Sequence, residues 1–278
     1  MLQVGKLNRL QVSRIMPYGA FLTDEEHNQV LLPNAHTPED IAEDQWLEVF
    51  VYHDADGNLM ATSDRPAVQL FECAYLPVVG VKAIGAFLDW GIEKDLFVAR
   101  NQQDVPMQEG QRYVVYVYLD RQTGRIAASS KLYDYLDEES GYFTPGQEVD
   151  LLICNRTDMG YKAVINGTHL GLLFKDEVFK PVKIGQKLKG YIKHIREDGR
   201  IDLSLQLHNN AARSDLGEQI IAHLRQHNGV STLTDKSNPN DIYRIFNVSK
   251  NTYKKALGLL YKQKRITISK TEITLVDQ

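Results

Sequence analysis

Tyr18-Gly19-Ala20-Phe21-Leu22 and Ile84-Gly85-Ala86-Phe87-Leu88 are one five-residue phrase written twice, 66 positions apart, and Met159-Gly160-Tyr161-Lys162-Ala163 repeats it more loosely 75 positions later. Self-similarity at a fixed period outranks local propensity as a guide to architecture. Each copy runs on into a second apolar stretch: Val30-Leu31-Leu32, Leu96-Phe97-Val98 and Leu172-Leu173-Phe174. Each then ends in a hairpin signal. The first runs from Trp46 to Tyr52, turns at Asp54 to Asn58 and returns through Leu59 to Ser63; the second runs from Tyr113 to Leu119 and returns through Arg125 to Ser130; the third runs from Leu188 to Ile195 and returns through Arg200 to Leu205. The turn glycines Gly57, Gly124 and Gly199 lie 67 and 75 apart, so a second anchor returns the same offsets to within one residue.

Runs of β-branched and aromatic residues bounded by Gly, Asp and Asn turns predict short strands. Five such runs in a unit of about 65 residues fit an OB-type barrel, whose sheet face and loops commonly hold oligonucleotides. The glycine ahead of the aromatic predicts a bulge or sharp bend where a strand curves to close the barrel. The order of strands resembles the S1 RNA-binding domain. That pattern has an aromatic after Gly-Ala, kept by Phe21 and Phe87, and a His after Gly-Leu, where Leu32 and Val98 stand instead. The third copy reverses the substitution, with Lys162 at the Phe position and Phe174 in place of the His. Exposed rings would stack on bases, worth about 1–3 kcal/mol each. A strand also sends alternate residues inward, so Phe21, Phe87 and Phe174 either present such faces or pack the barrels.

The 278 residues, 43% apolar and 24% charged, are enough for two to four cores. The net charge of -4 conceals an asymmetry, because residues 1–140 hold 11 basic and 22 acidic side chains and residues 141–278 hold 21 and 14. By module the balance is -7 for 1–65, -4 for 66–140, +2 for 141–208 and +5 for 209–278. A polyanion is therefore expected on the second half only. In the third copy Lys189, Tyr191 and Lys193 share one strand face, and with Tyr161, Lys162, Phe174 and Arg196 they are candidate RNA contacts. An ordinary solvated basic face is the competing reading.

Past His208-Asn209-Asn210 the period changes to that of helices. Asp215 and Glu218 open one with Leu216, Ile220, Ile221 and Leu224 on one side, closing at Gly229. Asn238-Pro239 starts a second through Ile242 and Ile245, and Ser249 is an N-cap for a third with the stripe Tyr253, Ala256, Leu257 and Leu260. Ile266-Thr267-Ile268 and Ile273-Thr274-Leu275 then form a ribbon. Three helices and a ribbon resemble a winged helix, in which the third helix and the wing meet nucleic acid. From Ile242 to Thr271 there are eight cations and no acid. Lys250, Asn251, Lys254, Lys255 and Lys262 lie off the apolar stripe and, with Arg265 and Lys270, are the candidate contacts. Winged helices also serve as protein docks, and a charge run is often only a solvated face.

Three S1-like barrels followed by a winged helix carrying Asn238-Pro239-Asn240-Asp241-Ile242-Tyr243-Arg244-Ile245-Phe246 and the stretch Val248 to Lys262 are similar to the bacterial conserved virulence factor B family over essentially the whole chain. That resemblance implies a cytoplasmic, non-catalytic RNA-binding regulator of gene expression. The expected fold is mainly β with an α+β C-terminal domain: OB-fold barrels at 1–65, 66–133 and 145–208, a linker at 134–144, and a winged helix at 209–278. The expected partner is single-stranded RNA. DNA through the winged helix, or a basic protein docked on the acidic barrels in a scaffold role, are the alternatives.

Other classes find little support. No apolar run approaches the roughly 18 residues of a membrane span, nor does a secretory leader open the sequence, so no membrane partner is expected. Cys73 and Cys154, 81 positions apart, read as small buried hydrophobes of a reducing compartment. Asp54-Ala55-Asp56-Gly57 has calcium-loop character, but Tyr52 and Ser63 occupy the outer ligand positions, so it reads as a hairpin turn. His223 and His227 have zinc-pair spacing without a catalytic Glu or a third ligand. No phosphate-cradling loop, nucleophile elbow or paired Cys motif occurs, and no cofactor, metal or catalytic residue is expected.

Overall fold

The computed structural model describes residues 1–54, 56–178, 181–206, 210–246 and 248–276. The boundary expected between His208 and Asn209 lies outside them, as does the side chain of Asp215. Two compact units are present, Met1–Tyr135 and Leu136–Gln278.

In the first unit β1 (Leu7–Met16), β2 (Gly19–Thr23), β3 (Gln29–Pro33), β4 (Trp46–His53) and β5 (Leu59–Thr62) form a closed barrel in the order β1-β2-β3-β5-β4, with β3 and β5 meeting in parallel. The strands β6 (Cys73–Lys82), β7 (Gly85–Leu88), β8 (Leu96–Ala99), β9 (Arg112–Leu119) and β10 (Ile126–Ser129) keep that circular order but stand as a sheet, β10-β9-β6-β7-β8, opened between β8 and β10. The second unit begins with a closed barrel of β11 (Glu148–Arg156), β12 (Gly160–Ile165), β13 (His169–Phe174), β14 (Lys187–Ile195) and β15 (Ile201–Ser204). The chain is therefore mainly β, with three closed or nearly closed five-stranded barrels before a helical C-terminal domain.

The bulge and the repeated glycine turn out to be separate devices. Register slips by one residue in the first strand of every barrel, between Val12 and Arg14, Val78 and Gly80, and Ile153 and Asn155. Such a bulge bends the strand so that one half pairs with β2 and the other with β4, and likewise in the other two barrels. The glycine stands on the next strand for a different reason. A Cβ at Gly19, Gly85 or Gly160 would fall 2.3, 2.3 or 2.1 Å from the carbonyl oxygen of Leu32, Val98 or Leu173, so only glycine lets the two strands approach.

β4 reads as a continuous apolar run because both of its faces are covered. Val49 and Val51 point into the first barrel's core, while Phe50 and Tyr52 join a cluster with Val68, Leu70 and Trp90 of the second. Phe50 meets Trp90 edge to face at 5.4 Å. Lys94 donates from its ammonium to the carbonyls of His53 (2.6 Å) and Asp54 (2.7 Å), tying the first barrel's hairpin to the second. Asp54 itself caps that hairpin by accepting from the Asn58 amide at 2.8 Å. Both cysteines are half-buried rather than buried, and enclosure of the Cys154 thiol pushes its pKa up to about 12.

In the second unit the segment ahead of β11 lies along the third barrel. Leu136 and Phe143 are buried, Phe143 within the barrel's core, and Asp137 and Glu139 make single bridges to His169 and Arg200. The C-terminal domain has α1 (Asn210–Gln226), β16 (Val230–Ser231), α2 (Pro239–Phe246), α3 (Lys250–Lys262), β17 (Ile266–Ile268) and β18 (Ile273–Leu275). Leu216, Ile220, Ile221 and Leu224 pack against Ile242, Tyr253, Ala256, Leu257 and Leu260, the two stripes the helical period selected. Each fully buried Leu or Ile there contributes about 1.5–3 kcal/mol. β16 pairs with β18 and makes the ribbon three-stranded, a strand too short to leave a period in sequence. Ile245 is 43% exposed, whereas Phe246 is buried in its place.

Candidate nucleic-acid interface

On β2 the burial alternates, so that Ala20 and Leu22 face the core and Phe21 faces outward. Across the bulge, Arg14 is paired with Phe21 and lays its guanidinium 5.0 Å from the ring centroid, while Tyr18 meets the same ring edge-on at 6.3 Å. The second barrel repeats this with Phe87 outside the core, Phe97 tilted against it at 5.3 Å and the Lys82 ammonium 5.2 Å away. In both barrels a cation already lies over the ring that a base would stack upon.

The third barrel uses other parts. Lys162 replaces the phenyl and pairs with Glu138 at 3.2 Å, while Tyr161 packs half-buried against the barrel core. Ladder register equates Leu173, not Phe174, with Leu32 and Val98, and all three are fully buried. Phe174 stands one residue further, opposite Gly160 as Pro33 is opposite Gly19, and is therefore turned outward beneath the Arg196 guanidinium at 5.4 Å.

Two of the three lysines of β14, and Arg196 just past its end, are engaged, while Lys187 at its start is exposed. Lys189 pairs with Asp150 at 2.9 Å and Glu148 at 3.8 Å, and the Asp150 hydrogen bond raises the lysine's pKa. Tyr191 donates its hydroxyl to Glu148 at 3.4 Å. Lys193 pairs at 2.7 Å with Glu177, whose side chain is only 4% exposed and also accepts from the Ser204 hydroxyl. Arg196 donates to Asp202 at 2.7 and 2.8 Å, which holds its pKa above the usual value. A phosphate arriving at this face must compete with four carboxylates.

α3 is different. Ser249 caps it by accepting from the Thr252 amide at 3.1 Å, and its N-terminal turn is fastened to the third barrel through Gln206, whose side-chain oxygen accepts from the Ser249 amide at 3.2 Å. Tyr253, Ala256, Leu257 and Leu260 are buried; the Tyr253 hydroxyl donates to the Leu233 carbonyl at 2.9 Å, and burial raises its pKa. Opposite them Asn251, Lys254, Lys255 and Lys262 are exposed, as are Lys264 and Lys270, the last at the tip of the ribbon. Among the described residues none of these five lysines forms an ion pair. Two other candidates are withdrawn from solvent contact of that kind: Lys250 donates to the Ser237 carbonyl at 2.9 Å, and Arg265 forks onto Glu218, which lowers the Glu218 pKa.

Arg14, Tyr18, Lys82 and Phe97 join the candidate surface, although Tyr18 and Phe97 stand in the repeated runs only as strand residues and no motif includes Arg14 or Lys82. The signal available was the strand register, which puts Arg14 across from Phe21 and Phe97 across from Phe87. The His223 and His227 rings lie 4.2 Å apart, but His227 donates to the His223 carbonyl and His223 reaches Ser231 at 3.3 Å, so both already have protein partners. No helix among the described residues is long and apolar enough to cross a membrane.

Residues 218–275 match the CvfB-like winged helix domain, and residues 4–64 match the S1 domain. An uncharacterized protein, YitL, of Bacillus subtilis is 31% identical over 274 residues, covering 94% of this chain and 90% of that one. The conserved virulence factor B of Staphylococcus saprophyticus is 26% identical over 244 residues, covering 82% and 79%. A crystal structure of a multidomain protein with nucleic acid binding domains from Streptococcus pneumoniae aligns over 98% of both chains at 20% identity, with a TM-score of 0.41.

Proposed function

The chain belongs to the conserved virulence factor B family, and we propose from that premise that it is a non-catalytic, cytoplasmic RNA-binding regulator of bacterial gene expression. The observation that carries the reading is the acid-free run from Ile242 to Thr271, whose lysines at 254, 255, 262, 264 and 270 are exposed and unpaired among the described residues. In this reading α3 and the ribbon supply the phosphate contacts. The third barrel, joined to α3 through Gln206, supplies rings at Tyr161, Phe174 and Tyr191 for single-stranded bases. Arg196 orients the Phe174 ring, Lys162, Lys189 and Arg196 exchange a carboxylate for a phosphate on binding, and Lys193 stays with the enclosed Glu177. The domain map of 1–65, 66–133, 145–208 and 209–278 is the working division for truncations.

The full chain should retain single-stranded RNA on a filter at low salt, with affinity falling as salt rises because counterions are released. Single-stranded DNA and duplex DNA measured at the same two salt concentrations identify the preferred strand type. Absence of RNA binding at low salt would overturn the reading. The exposed Val79, Val81 and Ile84 on an acidic barrel favour a second one, in which the first unit docks a basic protein surface. It predicts capture of such a partner by the Met1–Tyr135 unit.

A further inference from the structure

We propose that Gly258 is the point at which the main chain of α3 lies flush against a nucleic-acid backbone, so that the helix docks by its own backbone as well as by its lysines. This deepens the function proposed above and rests on it.

The C-terminal domain holds two glycines inside helices, and glycine destabilises a helix interior relative to alanine. Gly217 in α1 is buried where the two helices pack, and a Cβ there would come to 3.5 Å from Leu260 of α3, an ordinary contact distance. For Gly258 a Cβ would meet nothing within 4 Å among the described residues. The fold therefore makes no demand for glycine at this position. At roughly 100° per residue, Gly258 lies opposite the buried stripe. It shares its line with Asn251, Lys254, Lys255 and Lys262, respectively seven, four and three residues before it and four after. The exposed stripe thus reads cation, gap, cation over about 12 Å from Lys254 to Lys262.

A missing Cβ at the centre of such a stripe lowers the helix surface where a partner would touch first. The flanking lysines, on long flexible stems, then reach phosphates on either side. The occupant is fixed by charge: no acid occurs from Ile242 to Thr271, and a sugar-phosphate backbone is the polyanion that complements it.

The test uses the full chain carrying Gly258→Ala or Gly258→Leu, with the thermal midpoint and the affinities for single-stranded RNA and duplex DNA measured side by side. Gly258→Ala should raise the midpoint through helix propensity yet weaken binding about fivefold, and Gly258→Leu should weaken it further. Weakening confined to one nucleic acid identifies which backbone seats there. Unchanged or tighter binding by the alanine variant overturns the proposal, and so does a lowered midpoint, which would mean that the fold itself requires the glycine. The triple variant Lys254→Glu, Lys255→Glu, Lys262→Glu separates the two claims. If it loses binding while Gly258→Ala keeps it, only the glycine contact falls; if neither loses binding, the function proposed for this face falls too.

Discussion

The strand β14 and the helix α3 carry similar densities of positive charge, yet they present different electrostatic surfaces. On β14, Lys189 faces Asp150 across the ladder and Lys193 faces the enclosed Glu177, and just past its end Arg196 faces Asp202 on β15; Lys187, at the strand's start, is exposed. On α3, Lys254, Lys255 and Lys262 face solvent, with no paired carboxylate among the described residues. The lesson is geometric. A residue on an exposed helix face has neighbours three and four positions away in the same sequence, so a run without acids stays without acids when folded. Neighbours of a strand residue come from strands tens of positions away, so a basic run on a strand says little about its field until the sheet is known.

The largest effect is expected from reversing charge on the helix. Lys254→Glu, Lys255→Glu, Lys262→Glu should weaken single-stranded RNA binding by about a hundredfold near 0.1 M salt and flatten the salt dependence by about two in slope, three contacts at ~0.7 each. Lys189→Ala on β14, already neutralised by Asp150, should cost less than about threefold. Comparable losses at the two places would erase the contrast. Next in size is a stability effect. Lys193→Ala removes the cation that faces the enclosed Glu177 carboxylate and should destabilise that barrel by about 2 kcal/mol, read as a lowered melting midpoint with binding preserved at low temperature. Adding Glu177→Gln to the same chain should restore part of the loss; a midpoint that does not move would mean that this pair is not what holds β14 in place.

A gain is expected from the opposite change. Asp150→Asn or Asp202→Asn frees a cation without shifting the backbone and should tighten RNA binding by about two- to threefold, more at low salt than at high. Weaker binding in these variants would mean that the carboxylates orient the cations for the ligand instead of competing with it.

How much of this was legible in advance follows the same division between local and distant neighbours. The triple repeat, the hairpins, the Ser249 cap and the stripe Tyr253, Ala256, Leu257, Leu260 are set by spacing within one element, and the structure has them where the period put them. Displacement of the bulge onto the strand before Gly19, Gly85 and Gly160 was not legible, because the glycine records contact with a carbonyl on another strand. Register likewise moved Phe174 off the position shared by Leu32 and Val98. The double burial of β4 was written in its unbroken apolar run from Val49 to Tyr52, but only the Phe50–Trp90 contact shows what covers its outer face. Of the candidate site, the α3 lysines were legible as exposed; the pairing of Lys162, Lys189, Lys193, Arg196 and Arg265 was not, since each partner comes from another element.

The smallest effect should come from the acidic barrels, and it is the one that tests the contrast at its weak side. Phe21 and Phe87 lie outside their cores under Arg14 and Lys82, so stacking geometry is available to a base that displaces the cation. Stacking is worth about 1–3 kcal/mol per base. Against it stand the excess of acids in residues 1–65 and 66–140, which repel the phosphates that must accompany the base. Repulsion acts on every phosphate near the barrel and stacking on one base at a time, so the net gain should be slight. Phe21→Ala or Phe87→Ala in the full chain should therefore change RNA affinity by less than about twofold. Raising the salt screens the repulsion while leaving stacking largely intact, so any effect of either substitution should grow with salt as total affinity falls. A loss of about fivefold or more at low salt would put bases on the acidic barrels, and local charge would then be a poor guide to where this chain meets RNA.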